Sequence, residues 1–102
     1  MEMRENNMDL KHRLRIAIVQ TLYRFTVPQP LRTVQDSPFV LNENADPALL
    51  AEVWQELIEA GRIVPNDVYP DYCKLSPALR KRLDNRENIQ DDLFLYGPEA
   101  LR

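Results

Sequence analysis

The chain has 102 residues, enough for one domain with one modest hydrophobic core. Hydrophobic residues make up 44% and charged residues 28%, with 13 basic against 16 acidic side chains, a globular rather than a disordered balance. A single cysteine (Cys73) excludes an internal disulfide, that cysteine and a single histidine (His12) exclude a His/Cys zinc cluster, and two glycines exclude a phosphate-cradling loop.

Residues 1–10 are polar and charged and lack the apolar stretch of a signal peptide. The longest aliphatic run, Ile16 to Val19, is far too short to span a bilayer. With the lone thiol, this gives the expectation of a reducing, cytoplasmic compartment. The whole chain is read as one domain, with a core over about 8–86 and a C-terminal extension over 87–102.

Periodicity predicts a first helix from Met8 to Phe25, with Leu10, Leu14, Ala17, Ile18, Leu22 and Phe25 on one broad face. A second stripe follows Ile16, Val19 and Tyr23, with His12 in line behind it. Two stripes require two neighbours, and two readings stand: a central helix packed on both sides, or a dimer contact along Ile16, Val19 and Tyr23. Val27-Pro28-Gln29-Pro30 stops the helix, because proline removes a donor and clashes with the preceding turn. Pro30 opens a short second helix through Asp36, Ser37-Pro38 ends it, and Phe39-Val40-Leu41 is predicted as an extended or irregular segment dropping side chains into the core.

The third helix is the clearest. Asp46 is a good N-cap, Pro47 suits the first helical position, and Leu49, Leu50, Val53, Trp54, Leu57 and Ile58 form the buried face. Gly61 supplies the left-handed residue past its end. Arg62-Ile63-Val64 and Asp71-Tyr72-Cys73-Lys74-Leu75 then read as two strands around the turn signal Pro65-Asn66-Asp67. Ser76-Pro77 starts a fourth helix with Leu79 and Leu83 inward. Beyond Arg86, Ile89, Leu93 and Tyr96 sit at helical spacing, but Leu93 to Tyr96 reads equally well as a strand.

The predicted class is therefore mostly α with a small β-hairpin, an α+β domain. Helix, short helix, capped helix, glycine, hairpin, helix is an order that resembles the winged helix-turn-helix superfamily. The resemblance covers roughly residues 8–85 and is strongest from Leu49 to Leu83, where LLAEVWQELIEAGRIV looks like the superfamily's third helix entering the first wing strand. YCKLSPALRKRL looks like the second wing strand entering a closing helix. The resemblance implies three to four helices with a two-stranded wing. It also implies either DNA binding, with the third helix in the major groove, or service as a protein-interaction module.

Charge separates these two. Residues 1–32 carry six basic and three acidic side chains, residues 33–61 none and six, and residues 62–102 seven and seven. At 100° per residue, Glu52, Glu56 and Glu59 fall together at about 280–340° from Leu49, opposite the apolar face. Three carboxylates without a Lys or Arg are repelled by duplex DNA and leave no donor for a bidentate hold on guanine.

The favoured expectation is a non-enzymatic interaction module, a subunit, adaptor or homodimer, contacting its partner through Glu52, Glu56, Glu59, Tyr69 and Tyr72. The basic groups around the first helix and after the wing also offer an answer to the acidic face of another copy. The alternative is a DNA-binding regulator that contacts DNA through Arg13, Arg80, Lys81 and Arg82. No catalytic residue, metal or cofactor is expected. Cys73 is read as a strand residue, His12 as a helix-surface residue and the glutamates as a solvated face.

Overall fold

The computed structural model describes residues 7–87. Helix α1 (Asn7–Tyr23) ends two residues short of the expected Phe25. Two tightened turns follow, Arg24 N–H to Thr21 O at 3.1 Å and Phe25 N–H to Leu22 O at 3.0 Å, before the prolines. The expected face of α1 is buried at Leu14, Ala17, Ile18 and Leu22. Val19, from the second stripe, is fully buried as well, while Ile16 is half-buried and Tyr23 is 37% exposed. The stripe is thus interrupted by a core residue. Helix α1 packs on both sides within its own chain, against the third and fourth helices and against the sheet.

The remaining elements are β1 (Gln29–Pro30), α2 (Leu31–Gln35), α3 (Pro38–Leu41), α4 (Pro47–Glu59), β2 (Ile63–Pro65), β3 (Tyr72–Leu75) and α5 (Pro77–Asp84). Three of these helices open on the same device. Ser37, Asp46 and Ser76 each stand in extended conformation, each accepts a backbone N–H from the first turn, and each is followed by proline. The device was read from sequence at Asp46-Pro47 and Ser76-Pro77. At Ser37-Pro38 the sequence predicts a stop, with Phe39 to Leu41 extended or irregular. The segment is instead a single helical turn, with Val40 inward and Leu41 outward.

Helix α4 ends on a Schellman motif: Gly61 has φ +76°, its N–H reaches Ile58 O at 3.0 Å, and Arg62 N–H reaches Leu57 O at 2.9 Å. Helix α5 ends the same way with Arg86 in the left-handed position (φ 64°). Its carbonyls at Leu83 and Arg82 receive the N–H groups of Arg86 and Glu87.

The hairpin belongs to a three-stranded antiparallel sheet of order β1-β3-β2, with Gln29 opposite Cys73 and Ile63 opposite Leu75. The two-stranded sheet expected from sequence missed β1, whose Pro-rich sequence reads only as a breaker. Proline lacks the N–H that a central strand needs. Both strand prolines, Pro30 and Pro65, lie in edge strands, and central β3 has none.

Leu14, Ile18, Val53, Leu57, Ile63, Leu75 and Leu79 fill the space between α1, α4, the sheet and α5. The result is a mixed α/β fold, five helices and a small sheet among the described residues, compatible with a winged-helix-like arrangement. The expectations for Ile89, Leu93 and Tyr96 lie outside those residues.

Candidate partner-binding surfaces

The acidic side of α4 faces α1. Lys11 Nζ lies 2.6 Å from Glu52 Oε2 and 2.8 Å from Glu56 Oε2, bridging carboxylates one helical turn apart. Arg15, one turn along α1 and nearly buried, brings Nη2 to 3.7 Å from the other oxygen of Glu56. These contacts raise the Lys11 ammonium above its ordinary pKa, chiefly through its hydrogen bonds to Glu52 and Glu56.

The helical wheel put Glu52, Glu56 and Glu59 on one solvent face. In the folded chain the Glu56 side chain is only 22% exposed, Glu52 keeps 54%, and Glu59 stands outward with Gln55 for company at 3.4 Å. The cations that answer Glu52 and Glu56 come from the same chain. A wheel carries no information about the helix packed beside it.

The basic residues proposed for nucleic acid are similarly placed. Arg13 Nε donates to Glu43 Oε1 at 2.7 Å, and Arg82 Nε to Glu87 Oε1 at 2.7 Å. Arg80 reaches back from α5 to the end of α1, where Nη2 donates to Phe25 O at 2.9 Å and Leu22 O at 3.3 Å, and Nη1 to Tyr23 O at 3.4 Å. Its guanidinium carbon also lies 5.1 Å from the centre of the Tyr23 ring. Leu22 O already accepts the Phe25 N–H, so Arg80 adds a second donor there and supplies Tyr23 O and Phe25 O at the end of α1, where a cation opposes the negative end of the dipole. Tyr23 is held in turn by its hydroxyl, which donates to Asp84 Oδ1 at 2.5 Å. That bond, more than any other contact, raises the phenol pKa. Of the four basic candidates, Lys81 is exposed, the Arg13 and Arg82 side chains keep 39% and 41% of their surface, and Arg80 is half-buried.

No protein-family model, curated protein or solved structure matches the chain.

At the tip of the β2–β3 hairpin, Val68 is 73% exposed, Tyr69 66% and Tyr72 42%. The two rings meet tilted, centroids 6.0 Å apart. The tip is built: Asn66 Oδ1 accepts the N–H groups of Val68 and Tyr69 at 2.9 Å each, Asn66 N–H donates to Tyr72 O at 2.8 Å, and Tyr72 N–H to Tyr69 O at 2.9 Å. Exposed Asp67 and Asp71 flank it. The sequence points to Tyr69 and Tyr72 here. It does not point to Val68, because an isolated valine between turn residues gives no periodic signal.

Cys73 is fully buried in β3, and burial pushes its thiol up to about 11. Such a thiol is a poor nucleophile near neutrality. Among the described residues, no three His, Cys, Asp or Glu side chains are grouped as a metal ion requires, and no helix is long and apolar enough to cross a membrane.

Proposed function

We propose that the chain is a non-enzymatic protein-interaction module on a winged-helix scaffold, with the β2–β3 hairpin as the wing and its tip as the contact. The observation that carries this reading is the tip itself. Of the six large hydrophobic side chains exposed among the described residues, Val68, Tyr69 and Tyr72 lie together on this one hairpin. Aromatic side chains gathered in a braced turn supply contact area at little entropic cost, and such residues dominate interface energetics. Asp67 and Asp71 flank the patch and exposed Lys74 follows Tyr72 on the same face of β3, so the rim is polar with both signs of charge and orients a partner around an apolar centre. The strand order β1-β3-β2, with α4 leading into β2, supports the scaffold.

The DNA-binding reading loses support on the same ground. The outward residues of α4 include Glu52, Gln55 and Glu59 and no cation, and Arg13, Arg80 and Arg82 have protein partners.

Two measurements test the proposal. Fluorescence anisotropy with a mixed-sequence duplex, titrated from about 50 to 200 mM salt, is expected to show no binding. Steeply salt-dependent binding there is the signature of phosphate contacts and would sink the module reading. In cells, a photo-crosslinking amino acid at Tyr69 is expected to trap a discrete protein adduct, whereas the same group at Lys81 traps none. An adduct of twice the chain's mass identifies the partner as a second copy. Equal trapping at both positions would remove the wing tip as the contact.

A further inference from the structure

A second surface lies away from the hairpin. Between the end of α2, the turn of α3 and the first turn of α4 is a cleft of about 390 Å³. Val40 and Leu50, both buried core residues, form part of its lining, together with Leu41, Ala45 and Pro47. Leu41 is 61% exposed, although it sits on a helix whose neighbouring residue is in the core. A volume of this size accepts a large apolar side chain or a small ligand.

Two exposed carboxylates stand beside the cleft, with exposed Arg32 one turn before Asp36 on α2. Residues 33–61 contain six carboxylates and no Lys or Arg. Exposed Asp36 adjoins the lining residue Gln35, and exposed Asp46 stands between Ala45 and Pro47. Glu43, the third carboxylate of this region, is tied to Arg13 and contributes less. Neither Asp36 nor Asp46 is in an ion pair among the described residues, in contrast with Glu52 and Glu56 on the other side of α4.

We infer that this cleft docks a basic amphipathic segment of a protein partner. An apolar side chain of that segment fills the space between Leu41 and Leu50, and flanking Lys or Arg side chains meet Asp36 and Asp46. Apolar grooves with charged rims are read by peptides in this way, the groove setting affinity and the rim setting orientation and partner choice. The cleft shares no lining residue with the hairpin, so this docking site stands whether or not the wing tip is one.

The test uses the full chain and two labelled peptides of defined chemistry, an amphipathic leucine–lysine helix and its leucine–glutamate counterpart. The lysine peptide is expected to bind with salt-sensitive affinity and to shift the backbone amide resonances of Val40, Leu41, Asn44 and Leu50. The glutamate peptide is expected not to bind. Leu41→Lys and Asp36→Lys, both at exposed positions, should each weaken binding roughly tenfold or more, while Tyr69→Ala leaves it unchanged. The inference is overturned if the two peptides bind alike, or if the shifts fall on Val68 to Tyr72 instead. It is equally overturned if Leu41→Lys binds as wild type does. Saturation of the cleft by a small uncharged apolar molecule, with affinity indifferent to Asp36→Lys, would reassign it as a small-molecule pocket. The crosslink at Tyr69 reports on the wing separately, so failure of one site is distinguishable from failure of the other.

Discussion

Arg80 shows how one side chain changes meaning between sequence and fold. In sequence it opens an Arg-Lys-Arg run, which suggests a phosphate-binding patch. In the structure it is a C-cap supplied in trans to α1, donating to Leu22 O and Phe25 O while lying over the Tyr23 ring. The prolines after Phe25 leave α1 no room to satisfy the Phe25 carbonyl by continuing. Arg80→Ala should therefore destabilise the chain by about 1–2 kcal/mol, as expected for charge-assisted bonds to a helix end. A urea titration reads this as a lower midpoint with an unchanged slope. Arg80→Lys should recover only part of the loss, because a single ammonium cannot hold several carbonyls as the guanidinium fork does. If Arg80→Ala unfolds at the wild-type midpoint, the cap contributes nothing to stability.

Among the elements, α3 is a single helical turn anchored at its start by Ser37. Ser37 Oγ accepts the Phe39 N–H at 3.2 Å and lies 2.6 Å from Thr21 Oγ1, which itself donates to Ala17 O at 2.8 Å. Thr21 has one hydroxyl proton and spends it on Ala17, so Ser37 is the donor between the two hydroxyls. A continuous chain of bonds thus runs from the start of α3 to the backbone of α1. Ser37→Ala removes an N-cap and leaves the buried Thr21 hydroxyl short of a donor, at a cost of about 1–2 kcal/mol. Hydrogen exchange should show the loss first at Val40 and Leu41, with α4 and the sheet keeping their protection. Uniform loss across the chain would mean that α3 is not a separable unit.

The features legible in the sequence were those written in adjacent residues. The cap–proline pairs at Asp46 and Ser76, Gly61 after α4, and the two strands of the hairpin each carry a local signal. What was missed depended on distance. Strand β1 exists because β3 lies beside it, and Lys11 meets Glu52 across 41 residues. Ser37-Pro38 carries the same local signal, but a cap–proline pair that follows one helix also reads as its stop. Of the candidate site, Tyr69 and Tyr72 were legible because aromatics in a turn are unusual. Leu41 was not, because its exposure follows from α3 being a helix.

Across the whole molecule, three unrelated contacts share one consequence. The Cys73 thiol is raised to about 11 by burial, the Tyr23 phenol is raised mainly by its bond to Asp84, and the Lys11 ammonium is raised mainly by Glu52 and Glu56. Each group keeps its proton in the folded chain beyond the pH at which the unfolded chain releases it, ordinarily 9.0, 10.0 and 10.5 respectively. In that window the folded state binds more protons than the unfolded state, so stability falls as pH rises. The urea midpoint should thus hold level from about pH 7 to about 8.5 and decline progressively above about 9. Cys73 contributes the earliest part of the decline, and Tyr23 and Lys11 follow. Cys73→Ala will lower stability at every pH by opening a cavity, so the informative quantity is the slope against pH, which should flatten between about 9 and 11. Tyr23→Phe and Lys11→Met should flatten it only at higher pH. A wild-type midpoint that stays level from about pH 9 to about 11 would contradict the proton held by the buried Cys73 thiol, because the Tyr23 and Lys11 contributions act in the same direction and cannot mask it.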